Sequence, residues 1–143
     1  MKLTAAHEAE VIETIQKYSM AYQKKDLKAL SAVFSREITG FGSGPDEVIV
    51  DHPSFIRQME RDISQATILS VVFPDRKIFG DGRVAWVTSQ CIFTFMVDGS
   101  EKQTLRGRST MVLRNTGSRW IIEQIHFSMP YGEQSAGQSY PGA

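Results

Sequence analysis

Tyr18 and Tyr22 stand four residues apart in a run whose apolar positions Val11, Ile15, Tyr18 and Tyr22 recur at helical spacing, which puts two phenols on one buried stripe. A buried phenol can donate a proton or a hydrogen bond to a developing enolate oxygen, though aromatics on such a stripe also serve as plain core packing. Of the two, Tyr18 is the stronger candidate. His126 stands near the end of the otherwise apolar run Trp120–Ser128, where an imidazole would be a natural acid or base near neutral pH, or a side chain hydrogen-bonded to a neighbouring strand. Asp46 and Glu47 follow Gly44-Pro45, a loop that can carry a carboxylate to a pocket mouth as a base or hold it in a salt bridge. Arg106 and Arg108 offer planar donor forks to a carboxylate ligand, or to Asp46, Glu47 or Glu123 within the fold or across a dimer. Phe41 and Trp86 are candidate walls of the same pocket, with Tyr22 and Ser128 as further ligand contacts.

Other chemistries lack their residues. His7, His52 and His126 have no metal-ligand spacing, and the only cysteine, Cys91, belongs to a small apolar strand face and reads as core. No P-loop, GxSxG or GxGxxG is present, so cofactor-independent chemistry is the enzymatic expectation. Sixteen basic and 16 acidic residues leave a net charge of zero, which gives no field for gathering nucleic acid. The first residues lack the apolar stretch of a signal peptide, and no window reaches the roughly 20 apolar residues of a membrane span. A lone cysteine suits a reducing compartment, so a cytoplasmic location is expected.

The elements that must position these residues follow from periodicity. Helix 1 is expected over about 5–23 with Thr4 as N-cap, and a short helix 2 is capped by Asp26 and carries Leu27, Leu30, Val33 and Phe34 on one side. Residues 37–50 read as strand, Gly-rich loop and strand. Pro53 opens a third helix with the stripe Phe55, Ile56, Met59, Ile63 and Ala66. Strands are expected over 67–79, 83–97, 102–114 and 119–129, with Asp-Gly turns whose central residues both take positive φ. Gly107 is a candidate bulge that would reset which face Arg106 and Arg108 occupy. Residues 130–143, with Gly132, Gly137, Gly142, Pro130 and Pro141, read as a flexible C-terminal tail.

Strand 83–97 is uncharged on both faces, and strand 119–129, with Trp120, Ile122, Gln124, His126 and Ser128 alternating against Ile121, Glu123, Ile125 and Phe127, is apolar on both. Helices cover one face of such a sheet, so a second copy covering the other predicts a homodimer through the sheet.

Three stretches carry a family resemblance: Tyr18 to Phe34 followed by a Gly-rich strand, Leu105-Arg106-Gly107-Arg108-Ser109-Thr110, and Trp120 to His126-Phe127-Ser128. Over about residues 6–129 the chain resembles the SnoaL-like branch of the nuclear-transport-factor-2-like superfamily. The resemblance implies an α+β, cone-shaped roll, with three N-terminal helices packed on a strongly curved, mainly antiparallel sheet, a single cone domain over 1–129, a pocket at its open end, and dimers. It is similar to ketosteroid isomerases at Ile15-Gln16-Lys17-Tyr18, which places their oxyanion-hole tyrosine on Tyr18. Their general-base aspartate falls near Gly42 and their protonated aspartic acid near Arg108, so the isomerase set is incomplete. The functional expectation is a small-molecule pocket protein, as an enzyme an isomerase, cyclase or dehydratase transferring protons through Tyr18 and His126 or Asp46, on a hydrophobic or carboxylate-bearing ligand. The alternative is a noncatalytic dimerisation module whose pocket is vestigial or regulatory.

Overall fold

The computed structural model describes residues 1–143. Two helices come first, α1 (Ala5–Gln23) and α2 (Leu27–Val33), then strands β1 (Phe34–Phe41) and β2 (Val48–Ile49) and helix α3 (His52–Gln65). Five strands complete the fold: β3 (Thr67–Val72), β4 (Lys77–Gly80), β5 (Val84–Met96), β6 (Gln103–Asn115) and β7 (Trp120–Ser128). This is the expected α+β arrangement of three helices against one open, curved, mostly antiparallel sheet. No helix is long and apolar enough to cross a membrane.

Side-chain caps close the three helix starts, at Thr4 and Asp26 as expected and at Asp51, which the sequence reading did not name. Thr4 accepts from the His7 amide, Asp26 from the Ala29 amide, and Asp51 forms a capping box with Ser54 next to a proline in the first turn. Helix α1 buries Val11, Thr14, Ile15, Tyr18, Ala21 and Tyr22, and α3 buries His52, Phe55, Met59 and Ile63. These stripes meet Val87, Cys91, Met111, Leu113, Ile122 and Ile125 of the sheet in one core.

The strands run in the order β2-β1-β7-β6-β5-β3, with β4 paired to β5 beside β3. All neighbours are antiparallel except β1 and β7, which are parallel. The first half of the chain thus closes onto the last strand.

Four details differ from the sequence expectation. Phe34 begins β1 instead of ending helix 2. The run 67–79 divides into β3 and β4 at Phe73–Arg76, because Pro74 has no amide to give a ladder and Asp75 takes a φ of 56°. In the Asp-Gly turns only the glycines have positive φ, Gly82 at 87° and Gly99 at 73°. Asp81 instead accepts from the Arg83 and Val84 amides through its side chain, which fixes the turn without a left-handed aspartate.

The fourth difference decides the site. Gly107 pairs in unbroken register with Cys91, so no bulge occurs there. The irregularity lies in β7, where Val112 pairs with Gln124 but Leu113 pairs with Ile122, leaving Glu123 as an extra residue. Strict alternation is broken: Trp120 and Ile122 point inward before the bulge, and Ile125 and Phe127 point inward after it.

Candidate functional site

A cavity of about 270 Å³ opens between α1, α3 and the inner face of β5, β6 and β7. Its walls are chiefly apolar, including Met59, Phe93, Phe95, Leu105, Ile125 and Phe127. Phe93 and Phe127 stand edge to face with ring centroids 6.0 Å apart, and Phe127 stacks on Tyr18 at 6.5 Å.

Polar groups gather at one end. Asp62 of α3 accepts from the Tyr22 hydroxyl at 3.2 Å and from Gln58 Nε2 at 2.6 Å. The same Gln58 nitrogen donates to Glu47 Oε1 at 3.1 Å, so one amide bridges two carboxylates. Glu47 also accepts from the Gly44 amide at 2.8 Å and from Arg61 at 3.2 Å. Arg61 turns its second contact outward, to Asp46 at 2.6 and 3.2 Å.

Burial pushes the Asp62 carboxyl from its ordinary 3.8 up to about 6; its bond from Gln58 opposes the rise, and the nearby Glu47 charge adds to it. Burial likewise drives both phenols well above their ordinary value, with the Asp62 charge next in importance for each. Tyr18 and Tyr22 are therefore neutral donors at any ordinary pH. Tyr22 donates its hydroxyl hydrogen bond to Asp62, whereas Tyr18 is 1% exposed and its hydroxyl makes no hydrogen bond within the chain. Tyr18 lines the cavity, so that hydroxyl is available to whatever enters.

Of the candidate site residues singled out from the sequence, the structure brings Tyr18, Tyr22 and Glu47 to this cavity and none of the others. The β7 bulge turns His126 to the outer face of the sheet, exposed beside Phe41 with ring centroids 5.4 Å apart. Continuous register through Gly107 likewise turns Arg106 and Arg108 outward, where neither meets an acid of this chain. Trp86 stacks on Phe79 on that same outer face. Asp46 is exposed and held by Arg61, whose hydrogen bond keeps its carboxyl below the usual range; the distant arginines do not reach it. Ser128 is half-buried and pairs with Arg108 at the end of β7.

Sequence reasoning placed a carboxylate of the 44–47 loop at the pocket mouth, and Glu47 stands there; it passed over Asp62 and Gln58. Their signal is modest: a polar pair at i, i+4 directly beside the apolar stripe Phe55, Met59 and Ile63. Cys91 also lines the cavity, with its thiol pushed up by burial despite a hydrogen bond from the Gly107 amide. A wider depression of about 400 Å³ lies between α1 and the β3–β4 corner, but its polar residues Glu8, Asp75 and Arg76 are exposed, so water competes for each of them.

The SnoaL-like domain family matches residues 11–132. Among solved structures, the fold is similar to a candidate aromatic ring hydroxylase from Novosphingobium aromaticivorans, with TM-score 0.81 and 14% identity over 91% of this chain and 93% of that one. A candidate scytalone dehydratase from the same organism gives TM-score 0.79 and 12% identity over 91% and 96%. A candidate calcium/calmodulin-dependent protein kinase II association domain from Xanthomonas campestris gives 0.76 and 18% over 90% of each chain. At such identities these likenesses establish the fold alone. No curated protein matches the sequence.

Proposed function

The chain belongs to the SnoaL-like domain family, and from that premise we propose that it is a cofactor-independent proton-transfer enzyme of the isomerase, cyclase or dehydratase class, acting on an apolar small molecule. One observation carries the reading: a carboxyl raised to about 6 opens onto an apolar cavity that also holds an unbonded phenol.

The roles follow from the atoms. Ionised Asp62 takes a proton from a carbon acid, Tyr22 and Gln58 hold the plane of its carboxylate, and the electron pair left behind moves onto a substrate oxygen that accepts from the Tyr18 hydroxyl. Returning the proton from Asp62 to another carbon completes an isomerisation, and delivering it to a leaving hydroxide completes a dehydration. The aromatic walls exclude water, which keeps the base poorly solvated and strong for its pKa.

Nitrobenzisoxazole tests this without knowledge of the natural substrate, since it opens when a base removes its ring C–H and the N–O bond breaks to a coloured phenolate. Saturable cleavage by the wild type, reduced about 100-fold in Tyr18→Phe with KM little changed, is expected if Tyr18 stabilises the departing oxygen. A wild-type rate no better than that of free acetate, or an unaltered Tyr18→Phe, would sink the proposal and leave a noncatalytic module in its place.

The outer sheet face supports a homodimer, because Phe79, Val84 and Trp86 are exposed there at 38%, 41% and 37%, and Arg106 and Arg108 lie farther along the same face without an acid of this chain. Native mass spectrometry should weigh a dimer for the wild type and a monomer for Trp86→Lys with Ile92→Lys, the latter on the same outer face of β5 opposite Arg106, as two buried unpaired charges would weaken association by at least about 100-fold. A wild-type monomer would remove this assignment.

A further inference from the structure

The sign of the charge at the cavity is opposite to what a carboxylate ligand requires. Two carboxylates, Glu47 and Asp62, stand at its polar end, and the guanidinium nearest them, Arg61, contacts Glu47 and turns outward to the exposed Asp46. No lysine, arginine or histidine lines the cavity. Arg106 and Arg108, the residues that suggested an anionic ligand, stand on the far side of the sheet. An anion entering here would lose its water and meet two carboxylates with no cation to pair with.

The same space suits a cation. Tyr18, Tyr22, Phe93 and Phe127 line the apolar part of the cavity as one aromatic cluster, and the π systems of such rings attract an ammonium electrostatically. Tyr18 is 1% exposed and its hydroxyl has no partner within the chain, so its oxygen is free to accept from an N–H of whatever enters the cavity. We infer that the ligand of this cavity is an apolar amine, bound as its ammonium with the nitrogen toward Glu47 and Asp62 and the hydrocarbon body against the aromatic walls. The inference rests on the assignment of this cavity as the site and narrows its substrate class to molecules that bear a cationic nitrogen beside the carbon that loses its proton.

Three probes that differ in little but charge test it: benzylammonium, benzyl alcohol and benzoate, titrated calorimetrically against the full chain at about pH 8, where Asp62 is ionised. Benzylammonium is expected to bind at least about 10-fold more tightly than benzyl alcohol, with benzoate weakest. The preference should shrink toward unity in Glu47→Gln, and in Asp62→Asn should that variant fold more readily. Equal binding of benzylammonium and benzyl alcohol, tighter binding of benzoate, or no binding of any probe would overturn the inference. Because calorimetry reads binding alone, cleavage of nitrobenzisoxazole without amine preference would refute the substrate class and leave the proton-transfer reading standing. Amine preference without cleavage would do the reverse.

Discussion

The Asp62→Asn substitution is expected to lower nitrobenzisoxazole cleavage by at least about 100-fold while making the protein more stable at neutral pH. The two effects share one origin. Burial raises the Asp62 carboxyl from 3.8 to about 6, so folding favours its protonated form. The stabilisation from this group is fully present below 3.8 and is lost as the pH rises through about 6, because above that value the folded state holds a carboxylate in a poorly solvated place. A shift of this size corresponds to about 3 kcal/mol; asparagine recovers roughly 2 kcal/mol of it, since its amide must turn to suit both Tyr22 and Gln58. Activity changes in the opposite sense, rising over the same pH range as the base ionises. Thermal unfolding of wild type and variant, compared between about pH 4 and pH 8, should converge at the acid end and differ by roughly 5 °C at the other. Taking the difference removes the oppositely signed, exposed carboxylates Asp51 and Asp81, which both proteins keep. A variant that retains its rate, or a stability difference independent of pH, would refute the assignment. A carboxyl with a purely structural role would move the unfolding curve without producing a sigmoidal rate profile.

What was legible in the sequence, and what was not, divides along physical lines. Helices with strong caps and stripes, and the long strands of the second half, were plain because local chemistry fixes them: Thr4 and Asp26 satisfy amides that any helix leaves open, and Pro53 needs none in the first turn of α3. Tyr18 and Tyr22 were found because helical periodicity assigns a face without ambiguity. His126, Arg106 and Arg108 needed strand facing, and there one residue changes everything. The extra Glu123 in β7 inverts the alternation after it, and nothing in the run Trp120–Ser128 marks that position. Pro74 marks the break between β3 and β4 that the expectation of one strand over 67–79 overlooked, whereas the register shift in β7 is set by its neighbour β6.

Asp62 was missed for a different reason. A polar residue flanking an apolar helical stripe ordinarily lies at the solvent boundary, and α3 has several. Only the approach of Tyr22 from α1 and of Glu47 from the β1–β2 turn encloses Asp62, so its shifted pKa is a tertiary property. The site is assembled from three segments far apart in the chain. Its chemistry depends on how firmly β1 is held against β7.

That dependence makes Gly40→Ala the substitution with the largest expected effect on stability. Gly40 has a φ of 155° and pairs with Ile125 where β1 runs parallel to β7. A Cβ added there would lie 1.9 Å from the Ile125 carbonyl oxygen, a backbone atom that cannot rotate away as a side chain would. Either β1 separates from β7 or the Gly40 backbone leaves its conformation, and the expected loss is at least about 3 kcal/mol. Gly99→Ala is the control, with a φ of 73° but nothing within 4 Å of the added Cβ, so it should lose only about 1 kcal/mol. The consequence extends to the site. Two residues beyond Gly40, the Gly42 amide donates to the Glu47 carbonyl at 2.8 Å, closing the turn that holds the Glu47 carboxylate against Gln58. Where Gly40→Ala still folds, it should therefore lose amine binding as well as stability, whereas Gly99→Ala should keep its affinity. Urea midpoints that match for the two variants would show that close approach of β1 to Ile125 is not what anchors the cavity.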